Sequence, residues 1–135
     1  MTRDDHNEAL LPTVVVVNND SGLRNALGFA LAVEGFSVRT FARGRDLLAA
    51  ADLPDGACVV TDAWLPDMSG LELVERLRDR RRGLPAIMIT ADASPRLRRR
   101  AKEAGVAVIE QPLSGDSVVN GVVALLTTLS DRAAC

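Results

Sequence analysis

Cysteine is scarce: two in 135 residues, Cys58 inside an apolar run and Cys135 at the end. That is too few for a disulfide framework, and Cys58 reads as a small hydrophobe in a strand. A reducing compartment, the cytoplasm, is the expected setting. Histidine is scarcer still. The one His, His6, lies in the polar N-terminal stretch MTRDDHNEALLP with no Cys or His neighbour, so it is expected in solvent rather than on a metal. Aromatics make up 3% of the chain, too few to interleave with basic residues as single-stranded nucleic-acid binding requires. No apolar run approaches the ~18 residues of a membrane span, and the N-terminus has no signal-peptide core. No nucleophile elbow, structured His or Gly-rich phosphate loop appears, which leaves a small hydrolase-like enzyme without support. The formal net charge of −2 does not mark the whole molecule as a nucleic-acid binder.

What is present is an ordinary globular composition, 47% hydrophobic and 25% charged, in a chain of single-domain length. Apolar runs alternate with helical patterns. The run TVVVVN (13–18) reads as a buried strand, because β-branched residues suit a fully packed pleated surface. DSGLRNALGFALAVEG (20–35) follows as a helix, capped by Asp20 or Ser21 and ended by Gly35. Strands are expected at 36–41, 57–62, 85–90 and 106–110, and helices at 44–52, 69–81, 94–105 and 115–129. Residues 1–12 read as a mobile arm, 13–130 as the domain and 131–135 as a tail, with no room for a second domain. Five βα units with short connections predict a parallel sheet covered by helices on both faces.

In such a fold ligands bind at the carboxyl ends of the strands. Those ends carry Asn18, Asn19 and Asp20 after the first strand, Asp62 after the third, Thr90 after the fourth, and Glu110, Gln111 and Pro112 at the fifth. TDAWLPDMSGLELVERLR (61–78), MITA (88–91) and EQP (110–112) fall in order with VVVVNNDSGLRNALGFAL. Together they resemble the receiver domains of response regulators, the CheY-like family, and look closest to receivers that precede a helix-turn-helix output domain. The most specific piece is D-x-x-x-P-x-x-x-G, running from Asp62 through Pro66 to Gly70.

The resemblance implies a doubly wound, flavodoxin-like sheet of order 2-1-3-4-5. It implies that Asp62 is the phosphoacceptor for a histidine kinase and that Thr90 contacts the phosphoryl oxygens. It also implies a Mg²⁺ site built from two acidic residues after the first strand, the phosphoacceptor and the backbone carbonyl at position 64. A Lys at position 111 would pair with the phosphoryl group, an aromatic at 108 would swing with phosphorylation, and the bond before Pro112 would be cis. This chain departs at four of those places: Asn18 and Asn19 replace the acidic pair, Gln111 the Lys and Val108 the aromatic.

The swaps act in one direction. Mg²⁺ wants carboxylate oxygens, and phosphoryl transfer needs its charge neutralised. Amides supply neither, so phosphorylation is expected to be slow or absent and any metal binding weak. Removing carboxylates also relieves repulsion, on the order of 3 kcal/mol for one pair about 5 Å apart at an effective dielectric near 20. The amides of Asn18, Asn19 and Gln111 are expected to hydrogen-bond Asp62 instead.

Three points stay open on the residues alone. Asp20 is a helix cap or, shifted inward, a remnant metal ligand. Trp64 covers the site or merely packs over a loop. The basic stretch on the fourth helix, with Arg96, Arg99, Arg100 and Lys102, is a solvated face or a partner face. Two functions therefore compete: an atypical receiver regulated mainly by protein binding, and a working phosphoacceptor that relays phosphate through Asp62. Expected partners are a histidine kinase or another signalling protein, with a homodimer through helix 4, strand 5 and helix 5. Neither a membrane nor nucleic acid is expected for this domain alone.

Overall fold

The computed structural model describes residues 12–50, 53–111 and 115–134. The elements are β1 (Thr13–Val17), α1 (Ser21–Val33), β2 (Ser37–Phe41), α2 (Gly44–Ala50), β3 (Cys58–Asp62), α3 (Gly70–Arg80), β4 (Ala86–Thr90), α4 (Pro95–Glu103), β5 (Ala107–Glu110) and α5 (Gly115–Ala134). All five strands are parallel, in the order β2-β1-β3-β4-β5. The last helix runs on to Ala134 instead of stopping at residue 129, so helix takes most of the expected tail. His6, the bond before Pro112 and nearly all of the expected N-terminal arm lie outside the described residues.

The four consecutive valines follow from the layering. Side chains alternate across a strand, so Val14 and Val16 face one layer while Val15 and Val17 face the other. Val14 and Val16 pack with Leu23, Leu27 and Leu31 of α1 and Val118, Val122 and Leu126 of α5. Val15 and Val17 pack with Leu47 of α2 and Leu73 and Leu77 of α3. On the same side, Leu71 and Val74 of α3 meet Leu97 and Ala101 of α4 over Met88. Cys58 lies buried in the α1/α5 layer, where burial raises its thiol pKa.

The helix ends show how local chemistry returns the chain to the sheet. Gly35 has φ 104° and donates to the Ala32 carbonyl, while Phe36 donates to Leu31. Gly105 repeats the arrangement after α4 at φ 69°, with Val106 donating to Ala101. Both are left-handed C-terminal caps that favour glycine, and each delivers a buried apolar residue to the next strand. Arg78 ties the lower rim together: its guanidinium donates to the carbonyls of Leu84, Ala104 and Gly105.

Candidate functional site

The register brings the carboxyl ends of β1, β3, β4 and β5 to one edge of the sheet. Val17 is level with Thr61, Asp62 with Ile89, and Thr90 with Glu110. Asn18, Asp62, Thr90 and Gln111 therefore stand in a row at the ends of neighbouring strands, as a parallel sheet demands.

Asp62 is half-buried at the end of β3. Burial raises its carboxyl pKa above the ordinary value. The backbone N–H groups of Ala63 and Trp64 pull it down, and the charge of Asp20 pushes it up again. Asp20 is thus close enough to act on Asp62, yet its side chain has a job: Oδ1 accepts from Leu23 N–H at 3.2 Å and caps α1. The cap reading of Asp20 holds.

Asn18 is 2% exposed. Its side-chain oxygen accepts from the Asp20 backbone N–H at 2.8 Å, and its own carbonyl accepts from Arg24 Nη1 at 2.6 Å. Asn19 is exposed. The expected hydrogen bonds from Asn18, Asn19 and Gln111 to Asp62 are not formed among the described residues. The Asn18 amide oxygen is taken up by the turn into α1, and Gln111 contributes its backbone N–H, which donates to the Thr90 carbonyl at 2.6 Å. Local backbone donors were nearer than the neighbouring strand, and a buried amide bonds what is within reach.

Thr90 is buried, and its hydroxyl is engaged within its own loop. It donates to the Asp92 carbonyl at 3.3 Å and accepts from Asp92 N–H at 3.2 Å. Val108 is half-buried against the cluster beneath α4 that includes Met88 and Leu97. Trp64 is 63% exposed and lines a cleft with Ser94, Arg96, Leu97 and Arg100. Arg96, Arg99, Arg100 and Lys102 are all exposed on α4, whose inner face carries Leu97 and Ala101.

The spacing from Asp62 to Gly70 has a steric cause. A Cβ at Gly70 would lie 2.3 Å from the backbone carbonyl oxygen of Asp62 and 3.2 Å from Thr61 Cγ2. Gly70 N–H donates to the Ala63 carbonyl at 2.7 Å, so the start of α3 is pressed onto the strand end that carries Asp62. Ser69 caps α3, accepting from Glu72 N–H. The loop between them is pinned from a second side by Asp67, which accepts from Gly44 and Arg45 N–H at 3.2 and 2.9 Å. Burial pushes the Asp67 carboxyl up, but the N–H groups of Arg45, Gly44 and Asp67 itself, with the Arg45 charge, together outweigh it and lower the pKa.

Asp67 and Arg24 were not singled out from sequence. Asp67 meets partners more than twenty residues away, which no local pattern announces. Arg24 offered one signal, its place one helical turn after Asp20.

The donor set is poorer than the one the fold family implies. Mg²⁺ is usually held through one or two carboxylates, with waters completing its octahedron. Asp62 has one carboxylate neighbour, Asp20, which is engaged as a cap, and the Asn18 amide oxygen is already bonded. Among the described residues no group of three His, Cys, Asp or Glu side chains could hold a metal ion.

The model of the response regulator receiver domain matches residues 14–120. The chain belongs to that family. It is therefore a receiver domain of the kind found in two-component response regulators. Among curated relatives, it is 34% identical over 125 residues to the C4-dicarboxylate transport transcriptional regulatory protein DctR of Rhodobacter capsulatus, covering 90% of this chain and 64% of that protein. It is 32% identical over 111 residues to the transcriptional regulatory protein FixJ of Rhizobium meliloti, covering 82% and 54%. The chain thus spans about half to two thirds of the length of these relatives. Among solved structures, a CheY-like receiver domain protein from Methanospirillum hungatei JF-1 matches with a TM-score of 0.75 at 26% identity, covering 91% of this receiver and 98% of that chain. Among the described residues no helix is long and apolar enough to cross a membrane.

Proposed function

We propose that this receiver is an atypical one, with Mg²⁺-dependent phosphorylation of Asp62 impaired and with regulation mainly through protein binding. The observation that carries the reading is the commitment of the Asn18 side chain to the Asp20 N–H, 2.8 Å away. An amide that is already bonded stands where the family has a carboxylate, the one carboxylate near Asp62, Asp20, caps α1, and the charge that phosphoryl transfer develops goes largely unneutralised. With Gln111 in place of a cation and the Thr90 hydroxyl engaged with Asp92, no residue here takes over that role.

In this reading the module is not an enzyme. Its partners are a histidine kinase or another signalling protein. Arg96, Arg99, Arg100 and Lys102 form the partner face, and α4, β5 and α5 are the surface for a homodimer. The named relatives are transcriptional regulators, and a comparable place in a cytoplasmic signalling circuit, upstream of an output unit, is the natural assignment.

The test is intact mass after incubation with a small phosphodonor and Mg²⁺. The native chain is expected to show little or no phosphoryl adduct. The triple variant Asn18→Asp, Asn19→Asp, Gln111→Lys is expected to form it at least about tenfold faster, and Asp62→Asn to abolish it. A full adduct on the native chain, lost in Asp62→Asn, would replace this reading by the second one: a working phosphoacceptor relaying phosphate from a histidine kinase. The observation favouring that second reading is the proximity of the Asp20 charge to Asp62.

A further inference from the structure

Trp64 is the only tryptophan of the chain, and it stands 63% exposed. The loop that presents it is not loose. Trp64 bridges to Ser69, Leu65 N–H donates to the Met68 carbonyl at 2.9 Å, and Asp67 anchors the loop to α2. The indole borders a cleft of about 290 Å³ shared with Ser94, Arg96, Leu97 and Arg100 of the α4 end. Arg96 and Arg100 are four residues apart, so they sit on the same helix face one turn from each other, with Leu97 beside them. Helix α4 carries Arg96, Arg98, Arg99, Arg100 and Lys102 against the single acid Glu103. Of these cations only Arg98 has an ion pair among the described residues, with Glu110 at 2.6 Å.

We infer that this cleft is a docking site for an acidic segment of a partner protein, with an apolar side chain on the exposed Trp64 indole and two carboxylates on Arg96 and Arg100. Charge complementarity selects the occupant. Two guanidinium groups with no ion pair among the described residues border the indole, although Arg100 has Glu75 and Glu103 on its far side, and the forked donors of Arg match carboxylates bidentately. An indole carried on a pinned loop supplies contact area at little entropic cost. A second copy docking cleft to cleft would set Arg96 and Arg100 against their own equivalents, so a homodimer through α4, β5 and α5 would have to leave this cleft out. A nucleic-acid strand would find a single aromatic where stacking along the strand needs several. The inference rests on the binding-module reading and names the kind of partner for it.

The test uses Trp64 as its own reporter, in EDTA so that no metal contributes. A short Trp-free peptide with Glu residues four apart and Leu between them is titrated while indole emission is followed. A saturable change is expected, weakened at least about tenfold by Arg96→Glu with Arg100→Glu and weakened further by added salt. By anisotropy of the labelled peptide, Trp64→Ala is expected to lose affinity as well. These side chains are exposed, and far-UV circular dichroism verifies that each variant is folded. The inference fails if emission does not respond, if a Lys-for-Glu peptide responds equally, or if the charge-reversed variant still binds. A stronger response to a single-stranded oligonucleotide would make the cleft a nucleic-acid site. Self-association abolished by the same reversal would make it a dimer face. A phosphoryl adduct in the mass experiment would overturn the binding-module reading while leaving this titration to be judged on its own.

Discussion

Substituting Gly70→Ala sets two physical effects against each other with opposite signs. Gly70 is the first residue of α3, directly after the Ser69 cap, and it has no positive φ to protect. Helix propensity alone favours Ala there, by at most about 1 kcal/mol. The structure argues the reverse. The new methyl would lie 2.3 Å from the Asp62 carbonyl oxygen and 3.2 Å from the Asp62 carbonyl carbon. Both are backbone atoms of a strand paired on its two sides, so neither can swing away as a flexible side chain would. Overpacking of this kind costs about 1–3 kcal/mol, and its upper end applies where backbone must move. The net expectation is a loss of roughly 2 kcal/mol, or about 6 °C in Tm for a domain of this size. Urea unfolding at neutral pH measures it, with the slope checked for constancy. Gly70→Ser should lose at least as much. Equal or higher stability of the Ala variant would refute the steric account of the Asp62–Gly70 spacing and leave it as a matter of loop geometry.

Other expectations follow from the same edge of the sheet. Burial and the Asp20 charge raise the Asp62 pKa, so ionising Asp62 disfavours the folded state. Its contribution to stability is fully present below the unfolded-chain Asp value and is lost as pH rises through the higher folded value. Asp62→Asn should therefore stabilise the domain at neutral pH, with an advantage that shrinks as unfolding is repeated toward pH 4; an advantage that grows on acidification would contradict the assignment. Asp20→Ala removes the cap on Leu23 N–H and should cost about 1 kcal/mol, whereas Asp20→Asn keeps a cap and should be near neutral in thermal unfolding. Arg78→Ala strips hydrogen bonds from the Leu84, Ala104 and Gly105 carbonyls and should cost about 2 kcal/mol by urea unfolding. Arg78→Lys should recover little of this, since one ammonium cannot reproduce the fork.

The path from sequence to site was uneven for identifiable reasons. Val14 to Val17 announced a strand covered on both faces because β-branching and burial act locally. Gly35 and Gly105 marked helix ends because their left-handed conformation is a property of one residue. Asp62, Thr90 and Gln111 were placed at one edge because parallel strands joined by helices all point the same way. The hydrogen bonding around Asp62 was not legible in the sequence. Shape and polarity made Asn18 a plausible partner for it, but the choice went to the Asp20 N–H two residues along the chain.

The order of elements, the layering and the line of strand-end residues were therefore decided by the sequence itself, through periodicity and turn chemistry within a few residues of each position. The direction in which each polar group spends its hydrogen bond was decided only in three dimensions. Asp67 capping α2, Arg78 reaching the turn before β5, and Trp64 sharing a cleft with arginines of α4 all depend on segments far apart in the chain. Such contacts leave no local signature. They arise where packed layers happen to bring a donor and an acceptor within reach.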